Sequence, residues 1–402
     1  MLALGAIMLG ACKKEAIQSG SSAFTETEIV IPNDDISPSA AVDVIAEALE
    51  AVPLETPKEA YVSDWADKVV TTSDNRIVLV NNHKVAIFNA LTGKFIKELQ
   101  PAGDGPGEYS SFREVSYNPF TNEIELFADF QRKELIYDSD GNYLRDEDQY
   151  LLYGSKMYLT KDLCAYSCNQ NNSELLGTKE SYKIVLHDKK KNRLTGYLPL
   201  PHFEEKLSNL KIPYPFSSTA AGLSWFQPFN NGIFSVTPDG VSNRYSIVFR
   251  KNNIPSDFWE KNRKYTGKLE AGINENFPFL DSYFFENSQF IISRYMQNNI
   301  IQFVVYDKHK KRCVINTKSI FADKWGLHMP LPRHINKTGF LFILAAEDFI
   351  AMMESFDDKS LLPKSFLKAY RQAKPIDNPI LITLTVKGGE AIQDVVHKTN
   401  PN

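Results

Sequence analysis

The chain has 402 residues, 43% hydrophobic and 23% charged, with a net charge of −4. That is globular composition; it excludes a disordered chain, collagen, a coiled coil and a multi-span membrane protein, and it leaves no strongly basic face for nucleic acid. Aromatics reach 12%, with 26 Phe, 18 Tyr, 20 Gly and 21 Pro, a mix that favours many short strands joined by turns.

Met1 to Leu9 is apolar or small, and the run closes in Leu9-Gly10-Ala11-Cys12. Such a run reads as a secretory signal, too short to cross a bilayer. Its ending resembles a bacterial lipobox, which implies cleavage before Cys12 and lipid on its sulfur. Residues 1–11 are thus expected to be a lipoprotein signal peptide, with the true start codon upstream because no Lys or Arg precedes the run. Residues 12–24 contain Lys13-Lys14-Glu15 and the stretch Ser19 to Ser22, and read as a flexible lipidated tether. The expected location is the cell envelope, with the membrane touched through the anchor only.

Cys164, Cys168 and Cys313 cannot form a fully paired disulfide set, and a zinc ribbon needs two close Cys pairs. They read as small apolar strand residues. No metal and no cofactor is predicted.

Internal repetition is the strongest signal. Ile77 to Leu99 and Ile124 to Glu147 align as strand, turn, strand, Gly-containing turn, strand; Ile87 falls on Ile136 and Gly93 on Gly141. The middle strand recurs as Tyr182 to Asp188, Tyr245 to Arg250, Gln302 to Asp307 and Ile380 to Val386. Each is apolar almost throughout, as for a strand covered on both faces, and a polar or Gly turn follows. Taken at Phe88, Tyr137, His187, Phe249, Tyr306 and Thr385, the units begin about fifty residues apart, the period of propeller blades. The expected fold is all-β: a six-bladed β-propeller of four-stranded antiparallel blades over residues 25–390, with a tail over 391–402. Leu49 to Glu55 is expected to close the ring from the N-terminal side, and Phe340 to Met352 to supply early strands of the last blade. One short amphipathic helix is predicted in that blade, over Ser360 to Ala373, from the spacing of Leu361, Leu362, Phe366, Leu367 and Tyr370.

Ala51 to Thr56 (AVPLET), Gly93-Lys94-Phe95-Ile96, Gly103-Asp104-Gly105-Pro106-Gly107-Glu108-Tyr109 and Asp377-Asn378-Pro379-Ile380 together resemble the six-bladed β-propeller lipoproteins of Bacteroides-type bacteria, which are related to NHL-repeat propellers. Pro101-Ala102 depart from that family's basic residue and two glycines. The resemblance spans about residues 25 to 390. It implies the fold and an envelope location, at the outer membrane, and little chemistry.

Two loops carry the candidate binding residues. Gly103, Gly105, Pro106 and Gly107 lie between strands, not before a helix, so they make a structural turn and not a phosphate cradle. Glu108, Tyr109 and Arg113 beside them are candidates at the channel mouth. The segment Ile320 to Lys337 is expected to be a loop, and its Trp325, His328, Arg333 and His334 suit sugar or carboxylate recognition. No nucleophile elbow, His-Glu-x-x-His or calcium-loop motif occurs in the sequence. The expected role is binding of a glycan, peptide or envelope protein by a monomer, without evident catalysis. The alternatives are a polysaccharide lyase or hydrolase with a site assembled from several blades, and a scaffold subunit of an outer-membrane uptake complex.

Overall fold

The computed structural model describes residues 27–388 except 58–61, 63–65, 82–83, 100–102, 104, 149–153, 169–171, 201–213, 220–221, 229–231, 256, 262–275, 323–326 and 357. The signal peptide, Cys12, the tether, the tail and Trp325 lie outside the described residues.

Consecutive strands pair into antiparallel four-stranded sheets. The first holds Lys68–Thr71, Arg76–Asn81, Lys84–Asn89 and Phe95–Glu98. The second holds Glu114–Asn118, Glu123–Ala128, Lys133–Asp138 and Tyr143–Asp148. Gly154–Thr160, Leu163–Cys168, Ser181–Asp188 and Arg193–Leu200 make the third. The fourth contains Phe216–Thr219, Gly222–Trp225, Gly232–Thr237 and Gly240–Phe249, and the fifth Phe279–Glu286, Phe290–Gln297, Ile300–Asp307 and Arg312–Thr317. The last combines His334–Ile335, Gly339–Leu344 and Ile380–Val386 with Ala46–Pro53.

The count of six is corrected: the propeller has seven sheets. Between the fifth and last sheets in chain order lies a small one of three strands, Ala40–Ala41, Ile320–Ala322 and Leu327–Met329. Strands of two or three residues leave no periodic trace in a sequence, and the expected loop Ile320 to Lys337 is in fact this hairpin followed by the first strand of the last sheet. Two further corrections concern the sheets. Gly240–Phe249 is the fourth strand of its sheet, not the third. Residues Ala346–Glu354 form a helix where early strand was expected, so the last sheet carries two α-helices, the other being Lys364–Gln372.

Stacking explains the apolar runs. Ser181–Asp188 is buried at all but its last residue, because neighbouring sheets cover both of its faces. Turns supply the left-handed backbone that tight reversals need, through Asn75, Asn122, Asn192 and Gly141.

The N-terminal segment is a strap. Thr27–Ile31 runs parallel to Gly240–Phe249 and extends the fourth sheet to five strands. Ser37 then bridges Thr317 of the fifth sheet, Ala40–Ala41 joins the small sheet, and Ala46–Pro53 pairs antiparallel with Ile380–Val386. Asn378, fully buried, fastens the following stretch: its Nδ2 donates to the Glu55 carbonyl at 2.8 Å and its Oδ1 accepts from the Val62 amide at 2.8 Å. The Asp-Asn-Pro motif is thus a clasp between the two ends of the chain.

Candidate functional site

The connection from first to second sheet, over residues 99–113, lies on what we term the top face. Glu108 folds back on its own loop. Its Oε2 accepts from the Gly105 amide at 3.1 Å, and its amide donates to the Gly105 carbonyl at 3.0 Å. A Cβ on Gly103 would stand 1.7 Å from that carboxylate oxygen, so only glycine allows this closure. Tyr109 is 1% exposed; its hydroxyl donates to the Leu99 carbonyl at 3.2 Å, and burial pushes the phenol far above its usual range. Tyr137 of the second sheet donates to the Gly107 carbonyl at 2.8 Å. Glu108 therefore braces the loop by satisfying a backbone N–H, and Tyr109 belongs to the core, which corrects its reading as a ligand group.

Arg113 is exposed on this face. Its Nε donates to Asp129 Oδ2 at 3.1 Å, and Ser111 Oγ donates to the same carboxylate. Beside Asp129, at the turn between the second and third strands of the second sheet, Phe130 stands 79% exposed. Gln131 next to it donates from Nε2 to the Gly103 carbonyl at 3.4 Å, while its buried Oε1 has no hydrogen-bond partner among the described residues. The loop and turn thus place an open aromatic ring, a guanidinium and a carboxylate on one face. Phe130, Asp129 and Gln131 were not among the sequence candidates. The one signal that marks them is an aromatic flanked by polar residues at a turn.

The second cluster comes apart. His328 is exposed on the small sheet, opposite Phe321, with ring centroids 6.0 Å apart. Arg333 is exposed, but His334 is 5% exposed and faces inward. Its Nδ1 lies 2.8 Å from the Tyr214 hydroxyl, which also accepts from the Val69 amide at 2.8 Å. Tyr214 precedes the fourth sheet, Val69 is on the first strand of the first sheet and His334 on that of the last. These contacts span the ring, so Tyr214 closes the axis at that level. His334 is corrected from ligand residue to part of this closure. Burial, with Arg333 and Arg294 nearby, lowers its pKa to about 4, so it is neutral at pH 7.

A polar network sits between the second and third sheets. Cross-strand register puts Glu125, Glu134 and Glu147 on one face of the second sheet, and Lys156, Tyr158, Tyr166 and His187 on the facing side of the third. Lys156, its side chain 2% exposed, pairs with Glu125 at 2.5 Å and with Glu134. Burial opposes the ammonium, but the two carboxylates outweigh it and hold the Lys156 pKa well above its usual value. Burial also works against charge on Glu125, yet Lys156 and Lys189 keep its carboxyl below the usual range. For Glu134 burial wins, and its pKa is raised. A cavity of about 340 Å³ opens beside the network, lined by Glu134, Glu147, Tyr166, His187 and Lys189 among others. Cys164 and Cys168 are buried on the third sheet with thiols pushed up to about 12, which leaves them protonated.

Comparison with known proteins follows the same lines. A crystal structure of an exported protein from Bacteroides fragilis matches with a TM-score of 0.65 at 19% identity, over 90% of this chain and all of that one (100%). A member of the DUF4221 family from Bacteroides vulgatus matches with a TM-score of 0.49 at 9% identity, over 85% of this chain and 98% of that one. The first of these shows the fold alone. No curated protein matches the chain. The model of a domain of unknown function, DUF4934, matches residues 28–385, nearly the whole propeller, and the chain belongs to that family.

Proposed function

We propose that this protein is an exported lipoprotein propeller, anchored in the outer membrane through lipid on Cys12, that binds a glycan through the top-face loops of its first two sheets. The observation that carries the reading is Phe130, a phenyl ring 79% exposed at the turn between two strands. Its flat face suits the C–H face of a sugar ring. Arg113 and Asp129 stand beside it as partners for hydroxyls. The Leu9-Gly10-Ala11-Cys12 ending supports the anchor. The reading is of binding by a monomer, with the scaffold and enzyme alternatives set aside because no structural observation favours them.

A glycan array probed with the labelled protein tests this. Binding to a defined glycan, lost in Phe130→Ala and in Arg113→Ala, is the expected result. A blank array, or signals indifferent to both substitutions, would overturn it.

A further inference from the structure

A second groove lies at the opposite ends of the same strands, where the first and second sheets make their outer turns. Its volume is about 570 Å³, within the range of small-molecule sites. Arg76, Lys94 and Lys97 line it, and Asp140 is its one carboxylate. Arg76 Nε takes that carboxylate at 2.8 Å. Among the lining residues three cations face one anion; two further carboxylates back the groove, Glu55 accepting from the Phe95 amide at 2.9 Å and Asp138 from Asn142 Nδ2 at 2.9 Å. Lys97 Nζ reaches only the neutral Asn142 Oδ1, at 3.1 Å, and among the described residues Lys94 Nζ has no ion pair.

The groove is also built to keep its shape. Asn89 Oδ1 accepts from the amides of Leu91 and Thr92, at 3.1 and 2.9 Å, and from the Thr92 hydroxyl at 3.0 Å, which fixes the turn that carries Lys94. Gly93 follows with φ +73°, and a Cβ there would stand 1.9 Å from the Pro53 carbonyl, so the turn is seated against the closing strand of the last sheet. Half-buried Ile96, on the side of the second sheet, gives the groove an apolar wall, while the Phe95 ring packs on Phe88 toward the last sheet, centroids 5.5 Å apart.

Paired lysines and a guanidinium call for an oxyanion, and an apolar wall beside them calls for a carbon face. We propose that this groove binds an acidic sugar, one that carries a carboxylate or a sulfate, with the oxyanion held by Lys94 and Lys97 and the ring against Ile96. The site is separate from the Phe130 face and does not rest on the function proposed there.

Calorimetry on the full chain tests it with D-glucuronate and N-acetylglucosamine 6-sulfate, against glucose and inorganic sulfate. Either acidic sugar should bind at least about tenfold more tightly than glucose and than sulfate, and raising the salt from 20 to about 300 mM should weaken binding severalfold, because screening shortens the reach of exposed charges. Lys94→Ala, at an exposed position, should cost about tenfold, and Lys94→Ala with Lys97→Ala should abolish binding at an unchanged melting temperature; Phe130→Ala should leave it intact. The proposal is overturned if neither acidic sugar binds, if sulfate alone binds as tightly, or if the lysine variants bind like the wild type.

Discussion

The Tyr214 hydroxyl lies 2.8 Å from His334 Nδ1 and joins residues that approach the ring axis from opposite sides. The same oxygen accepts from the Val69 amide, so three sheets meet at one hydroxyl. Tyr214→Phe keeps the ring and removes that oxygen. It leaves the buried Val69 amide without its partner, a loss worth about 1–3 kcal/mol. Urea unfolding should show a lowered midpoint at unchanged slope. An unchanged midpoint would mean that the contact carries no stability.

Both His334 and His187 are held near a pKa of about 4, chiefly by burial. Unfolded, each would titrate near 6.5. The unfolded chain therefore binds protons first on acidification, and the stability tied to each neutral imidazole is whole above pH 6.5 and lost as pH falls towards 4. For His334 the shift corresponds to on the order of 3 kcal/mol. Denaturation measured from pH 7 to 4 should fall steeply for the wild type and less steeply for His334→Asn. Equal slopes would count against a buried neutral His334.

Lys156 tests the network between the second and third sheets. Lys156→Met removes the nearer cation from between two buried carboxylates and should cost about 3–5 kcal/mol, since only the more distant Lys189, at 3.7 and 3.9 Å, is left to offset their desolvation. The triple variant Lys156→Met, Glu125→Gln, Glu134→Gln should recover much of the loss. A triple variant as unstable as the single one would mean that the methionine fails on packing, not on charge.

Cys12→Ala should move the protein from the membrane fraction to the supernatant after cell lysis. In this account the lipid on Cys12 is the chain's membrane contact, so losing the lipidated residue should release it. Retention of Cys12→Ala in the membrane fraction would remove the anchor from the account.

The sequence carried the architecture because strands covered on both faces must be apolar throughout, and that pattern repeats at a length a reader can detect. It did not carry the small sheet, whose two- and three-residue strands are too short for any period, nor the helix Ala346–Glu354, where an apolar run reads alike as strand or buried helix. The glycine loop was recognisable as a turn from Gly103 and Gly107. That Tyr109 turns inward depends on where the first and second sheets meet, which no local pattern states. His334 was lost in the same way, since its partner Tyr214 is 120 residues away. Phe130 was hidden by type, because a phenylalanine in a strand repeat is read as core. Glu125, Glu134 and Lys156 were legible only in hindsight, as charges at buried strand positions that the sheet-to-sheet register brings together.

The most direct test of the account is calorimetric titration of the mature protein with the glycans that an array identifies, wild type beside Phe130→Ala. Saturable binding should weaken at least tenfold in the variant, about 1.4 kcal/mol, with the melting temperature unchanged. Binding of equal strength in Phe130→Ala, or no glycan bound by the wild type, would contradict the claim that the top face of the first two sheets is a glycan site.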